Sequence, residues 1–157
     1  MYSEYIIPIS LMIFIFGVLI LLLKMLKKRD DKRYQEKVII LKNTKPQMRF
    51  KLLDVFGYHL VDYVERFALI EEANNNKIYA LKIKDDLYNR CIKKIINPGD
   101  VGLFWIEEVK NNVFVNKNDN ENKKEFKSEN PSFDYSLLKK ATFINGHIEF
   151  DKDIQTH

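Results

Sequence analysis

IIPISLMIFIFGVLILLL, residues 6–23, runs directly into KMLKKRDDKR, residues 24–33. This junction decides the architecture. The first stretch carries no charge over eighteen residues, long enough as a helix to cross the roughly 30 Å hydrocarbon core of a bilayer. A helix satisfies every backbone polar group within its own segment, which lipid demands. Pro8 falls in the first turns, where a missing N–H costs least. Tyr2 and Tyr5 occupy the position of an interfacial aromatic belt, with Lys24, Lys27, Lys28 and Arg29 at the other end. A cleaved signal peptide calls for a basic start, a shorter apolar region and a small-residue cleavage site. This chain starts MYSEY, with Glu4 as its only charged side chain there, and its apolar run ends in Leu-Leu-Leu-Lys. No Cys directly follows the run, which also argues against a lipoprotein anchor. The expectation is an uncleaved transmembrane anchor over residues 1–24.

Orientation follows from the charge bias, since Lys and Arg near a span stay cytoplasmic. The C-terminal flank holds Lys24, Lys27, Lys28, Arg29, Lys32 and Arg33, and the N-terminal flank holds no Lys or Arg. The N-terminus is therefore expected outside and the rest of the chain in the cytoplasm. A single cysteine, Cys91, allows no intrachain disulfide, in keeping with a reducing compartment. The formal net charge is +4. Residues 24–37 contain seven basic residues against Asp30, Asp31 and Glu36, an excess equal to the charge of the whole chain. The soluble part is nearly neutral, so no phosphate-binding stripe is visible and no nucleic-acid partner is expected. The basic neck, residues 25–36, reads first as a stop-transfer flank. Recruitment of anionic lipid is a second reading, worth on the order of 1 kcal/mol per basic residue near the surface, and the two are compatible.

The remaining residues suffice for one small domain with a single core. Residues 37–116 read as a β-rich domain. It opens with the β-like run KVIILK, residues 37–42, which ends at Pro46. Phe50, Leu53, Phe56, Leu60 and Val64 recur at three or four and favour a helix over 48–64, while Gly57 and the aromatic and β-branched content leave a strand open. RFALIEE (66–72) and KIYALK (77–82), separated by ANNN, predict a hairpin. DDLYNR (85–90) predicts a short turn or helix, and NPGD (97–100) a turn. VGLFWIEEV and NNVFVN predict a second hairpin. Residues 117–131, KNDNENKKEFKSENP, read as a polar linker or exposed loop. Residues 132–157 read as a C-terminal hairpin or sheet extension turning at Asn145-Gly146. The fold class expected is an N-terminal transmembrane helix with a small mainly-β domain, α+β being an alternative, of partly open barrel type.

This order of elements resembles a domain-of-unknown-function family of small bacterial single-span membrane proteins with a C-terminal β-domain. The matching residues are KVIILKNTKP (37–46), the strand pair around Phe67 and Tyr79, Tyr88, and Gly99-Asp100-Val101-Gly102-Leu103. The resemblance covers roughly residues 5–115. The chain departs from the pattern through the long 48–64 segment and the tail after Lys117. The resemblance implies a membrane-tethered β-domain and no catalytic residues.

Chemistry-bearing constellations are sparse. His59, His147 and His157 are scattered and form no close His/Cys pair, whereas structural zinc needs four clustered ligands. No metal site or cofactor is expected. Lys93 and Lys94 near Cys91 would lower a thiol pKa, yet a β-like run favours a buried, inert Cys. Gly99-Asp100-Val101-Gly102 lacks the glycines, following helix and Lys of a phosphate loop, and Asp100 would repel an anion. Carboxylate pairs occur at Asp85/Asp86, Glu71/Glu72 and Glu107/Glu108, but neighbours on a strand point to opposite faces, so such pairs form no acid/base dyad by themselves. Aromatic residues including Phe67, Tyr79, Tyr88, Phe104 and Phe114 read as core. Trp105 does too, with an outward-facing partner anchor as its alternative. The functional expectation is a non-enzymatic bitopic protein whose cytoplasmic domain contacts a membrane-protein partner. An accessory subunit of an envelope assembly and a membrane-tethered enzyme are the alternatives.

Overall fold

The structure, a computed structural model, describes residues 3–110 and 125–155. The chain divides into two compact units, Met1–Ile40 and Leu41–His157. The first is helical. Helix α1, Ser3–Thr44, runs unbroken for 42 residues with Pro8 near its start, and its last turn belongs to the second unit. It is long and apolar enough to cross a membrane: an 18-residue window reaches a mean hydropathy of 2.7, and none of that window is buried. Residues 37–42, expected as a strand, are helical. Between Gly17 and Pro46 no glycine or proline interrupts the helix, and adding a residue to an existing helix costs far less than nucleating one. Strand propensity is a context-dependent preference that such continuity overrides. The helix stops at Thr44, two residues before Pro46, because the residue ahead of a proline disfavours the α region.

The second unit is a small mixed sheet domain of β1 (Met48–His59), β2 (Val64–Glu72), β3 (Ile78–Ile83), β4 (Val101–Val109), β5 (Phe126–Lys127) and β6 (Thr142–Phe150). Helix α2 (Asp85–Ile92) joins β3 to β4, and two single turns, α3 (Leu137–Lys140) and α4 (Asp151–Ile154), flank β6. Strand order is β2-β3-β6-β4-β1-β5, and β1 pairs with β2 as well, so backbone pairing returns to where it began. All pairs are antiparallel except β3–β6. The hairpin expected at ANNN is present, with Asn76 at φ 58°. The NPGD turn carries Gly99 at φ 95°.

The helical reading of residues 48–64 is corrected: 48–59 form β1. Its register slips between Leu52 and Asp54, so the side-chain alternation changes phase there. Phe50, Leu52 and Val55 face one apolar cluster, while Phe56 and Tyr58 face another. Burial on both faces plus one extra residue mimics a spacing of three. Asn145-Gly146 is likewise no turn. Both residues sit inside β6, opposite Glu108 and Ile106 of β4. The need for glycine here is steric, since a Cβ at Gly146 would collide with the Trp105 carbonyl oxygen. The expected second strand NNVFVN and residues 117–124 of the expected linker lie outside the described residues. Residues 125–131 do not form an exposed linker: Lys127 and Phe126 of β5 pair with Gly57 and Tyr58, and Phe126 is buried.

Two apolar clusters result. The first joins Phe50, Ala68, Ile70, Leu81, Phe104 and Phe150 from the strand circuit, with Tyr88 of α2 and Ile96 added. The second lies on the opposite side of β1, β2, β3 and β6, where Phe56, Phe67 and Phe143 are covered by Phe126, Phe133 and Leu138. Phe56 stacks on Phe67 at 5.3 Å and meets Phe126 and Phe133 at 5.8 and 5.7 Å.

Candidate functional site

The bulge in β1 opens a cleft. Past Lys51↔Val101 strand β4 leaves β1, and β5 joins it only at Gly57. Between these points the β1 edge faces the end of α2, the turn after it, and residues 128–131, around a space of about 530 Å³. Leu52, Val55, Ile92, Ile96, Pro98 and Pro131 form its apolar walls. Asp54, Lys94, Glu129 and Asn130 supply its polar groups.

The walls are braced. Gly99 N–H donates to the Leu52 carbonyl at 2.7 Å, and Leu52 N–H donates to the Asp100 carbonyl at 2.8 Å. On the other side the Ser128 hydroxyl donates to the Val55 carbonyl at 2.9 Å, and Asn130 Nδ2 donates to Asp54 Oδ2 at 2.8 Å. Asp54 Oδ1 accepts the Val55 N–H at 2.8 Å. Buried backbone groups need such partners, and here side chains provide them where a neighbouring strand does not.

Cys91 lines this cleft from α2, half-buried. It lies on a helix and not in the β-like run expected. Burial pushes its thiol up to about 11, outweighing the nearby Arg90 charge. At neutral pH the thiol stays protonated, and a protonated thiol is a poor nucleophile.

His59 lies outside the cleft lining. Arg66 of β2 and Lys127 of β5 stand opposite Gly57 from either side, and His59 follows two residues on, so all three side chains share one face. Burial, Lys127 and Arg66 together lower the His59 pKa below 6.5, with Glu129 opposing. The Arg66 guanidinium lies 4.1 Å from the Tyr88 ring centroid and 3.9 Å from Asp85.

Trp105 is 2% exposed, so the reading of it as an outward partner anchor is corrected. It packs across the β4–β6 ladder against the His147 ring at 5.8 Å, beneath the Lys42 ammonium at 5.0 Å. Lys42 also pairs with Glu149 at 2.6 Å, and His147 meets the same carboxylate at 3.1 Å. Burial would raise the Glu149 carboxyl, but the hydrogen bonds and charges of Lys42 and His147 hold it below its usual range. The flank residues Lys24, Lys27, Lys28, Arg29, Lys32 and Arg33 are exposed on α1. At 100° per residue they are distributed around its circumference.

Other singled-out groups have structural partners. Asp100 accepts the Asn97 N–H and pairs with Lys152 at 2.6 Å, which together overcome burial and lower its pKa. Glu71 pairs with Lys51 at 3.2 Å, and buried Glu72 accepts the Tyr79 hydroxyl at 3.4 Å. Among the described residues no group of three or more His, Cys, Asp or Glu could hold a metal ion. Reading the sequence alone missed the cleft, because its two sides lie some 75 residues apart in the chain, as Ser128–Val55 and Asn130–Asp54 illustrate. The Ser128–Asn130 turn was its one local signal, since Asn130 N–H donates to the Ser128 hydroxyl and Ser132 N–H to Asn130 Oδ1. The arrangement offers a preformed apolar recess with a polar mouth, chemistry suited to holding a ligand. Comparison with known proteins finds no matching family model, no matching curated protein and no matching solved structure.

Proposed function

We propose that this chain is a single-pass membrane protein that holds a small, partly open barrel domain at the cytoplasmic face, where it acts through contact with a membrane-protein partner. The unburied apolar stretch of α1 carries this reading, because a window of mean hydropathy 2.7 needs an apolar surrounding that the described residues do not supply. The basic flank at its C-terminal end supports an outside N-terminus. Tethering serves such a function by raising the local concentration of the domain around a partner in the same membrane.

The return of backbone pairing to β2, the β3–β6 parallel pair and the interior cluster support the barrel reading. In small partly open barrels that bind oligonucleotides, the outer face of the second and third strands carries the ligand. Here Phe67 and Leu69 on that side lie under Phe126, Phe133 and Leu138 of the same chain. Bases stack on exposed aromatic faces over a basic groove. A covered face on a nearly neutral domain favours a protein partner.

Protease added to intact cells, and then to inverted membrane vesicles, tests the topology. The domain should be protected in the first and digested in the second; digestion in intact cells would overturn the placement. Crosslinking in the membrane followed by gentle extraction tests the contact, and recovery of the uncrosslinked chain alone would count against it.

A further inference from the structure

We infer that the cleft beside the β1 bulge is a binding site for a small amphiphilic cation, an apolar body bearing an ammonium-type head. Three observations lead there. The space of about 530 Å³ falls in the range of small-molecule sites, roughly 300–1,000 Å³. Its walls are fixed by hydrogen bonds already in place on both sides, so the recess exists before a ligand arrives. Preorganisation of this kind reduces the ordering cost of binding.

The second observation decides between a small molecule and an added strand. A strand docking on β1 would need its free N–H and C=O groups. At Val55 both are occupied, the N–H by Asp54 Oδ1 and the carbonyl by the Ser128 hydroxyl. The edge is capped, and only the apolar recess beside it is open.

Charge at the mouth sets the polarity of the head group. The lining holds two carboxylates, Asp54 and Glu129, and one lysine, Lys94, while His59 with Lys127 and Arg66, whose field Glu129 opposes, lies outside it. Asp54 is engaged by Asn130 and the Val55 N–H. Glu129, on the exposed rim, has no hydrogen-bond or ion-pair partner among the described residues. A cationic head therefore finds a carboxylate with spare acceptor capacity, and a carboxylate ligand meets two acids. Ile92, Pro98 and Pro131, the apolar lining residues that keep accessible surface, take the apolar body, with Leu52, Val55 and Ile96 buried behind them.

Cys91 is the only cysteine of the chain and part of the wall, so it reports occupancy. The test uses the full chain in phosphatidylcholine nanodiscs at mildly alkaline pH and follows, by mass spectrometry, the slow alkylation of the high-pKa Cys91 thiol by excess N-ethylmaleimide, a small uncharged reagent. Phenethylammonium, 2-phenylethanol and phenylacetate share one apolar body and differ in head charge. Phenethylammonium should slow alkylation most, the alcohol less, and phenylacetate least. Glu129→Gln, an exposed substitution that leaves the core untouched, should raise the half-protecting concentration of the amine about threefold and leave that of the alcohol unchanged. Ile92→Glu, at a partly exposed wall position, should abolish protection by the alcohol. Equal protection by all three compounds, protection insensitive to Glu129→Gln, or no protection by any would overturn the proposal.

Discussion

Across β1 the domain presents two apolar faces, and different parts of the chain close them. The inner face is completed by the strand circuit and α2, whose residues follow one another from Met48 to Phe104 before β6 joins. The outer face is completed by residues 126–141, a stretch with a two-residue strand and a single helical turn. The first closure is built from regular pairing. The second relies on a few large side chains, Phe126, Phe133 and Leu138, delivered by a segment with little backbone pairing of its own. Regions with few backbone ladders open at lower free energy than the global unfolding of the domain. The two faces should therefore fail in different ways.

Removing a ring from the inner face is expected to have the largest effect. Phe50 is fully buried and meets Phe104 and Phe150 edge-on at 6.1 and 5.2 Å. Phe50→Ala should cost about 4 kcal/mol and act on the whole domain, so that denaturant unfolding followed by Trp105 fluorescence shifts as one transition. Phe133→Ala should cost less, about 3 kcal/mol, because Phe133 is 7% exposed and its surroundings can relax. Its signature is local: hydrogen exchange should accelerate in 126–141 while β2 and β4 keep their protection. Matching exchange profiles for the two variants would erase the distinction between the faces.

This contrast also accounts for what the sequence could disclose. The apolar part of α1, the β2–β3 hairpin and the NPGD turn were legible because their signals are local: apolar length, a run of asparagines, a Pro-Gly pair. Strand β1 was not, since burial on both faces and the slip between Leu52 and Asp54 replaced alternation by a spacing of three. Residues 126–131 looked like linker because one buried aromatic in a polar stretch carries no periodicity, and only the sheet reveals where Phe126 goes. Gly146 read as a turn residue because Asn-Gly usually is one; the close approach of the Trp105 carbonyl is invisible without the β4–β6 register. The cleft depends on the first two of these, β1 and residues 128–131, so it could not be found from the sequence.

A smaller effect separates the ionic fastenings from the apolar ones. Helix α4 is tied to the circuit by Arg49–Asp151, Lys152–Asp100 and Arg90–Asp153, each at 2.6 Å. Arg90 binds Asp153 with two nitrogens, at 2.6 and 3.0 Å. These side chains remain partly exposed, so Arg90→Met should cost about 0.5 kcal/mol and less at high salt, where screening weakens the pair in the wild type. A loss of several kcal/mol that is insensitive to salt would mean that the clasp contributes as much as either core.

The least effect expected in total stability is also the one that distinguishes the faces most sharply. His59 and Arg66 stand on the circuit, whereas Lys127 belongs to the covering segment. Burial and the two neighbouring cations hold the folded pKa of His59 below its unfolded value of 6.5. The unfolded chain thus takes up its proton first as pH falls. The contribution of neutral His59 is complete above 6.5 and declines as pH drops through the depressed folded value. Once protonated, His59 repels Lys127 and Arg66, with Glu129 offsetting part of that repulsion. Of the two cations, Arg66 is held by Tyr88 and Asp85, but Lys127 sits on a two-residue strand. Acidification should therefore loosen 126–141 before the circuit, visible as faster exchange there between pH 7 and pH 5. His59→Gln should remove this component, and Lys127→Gln should reduce it without abolishing it, because burial is the larger cause of the shift. Equal loosening of both faces, or a pH response unchanged in His59→Gln, would show that the carboxylates of the domain, and not this histidine, set its acid sensitivity.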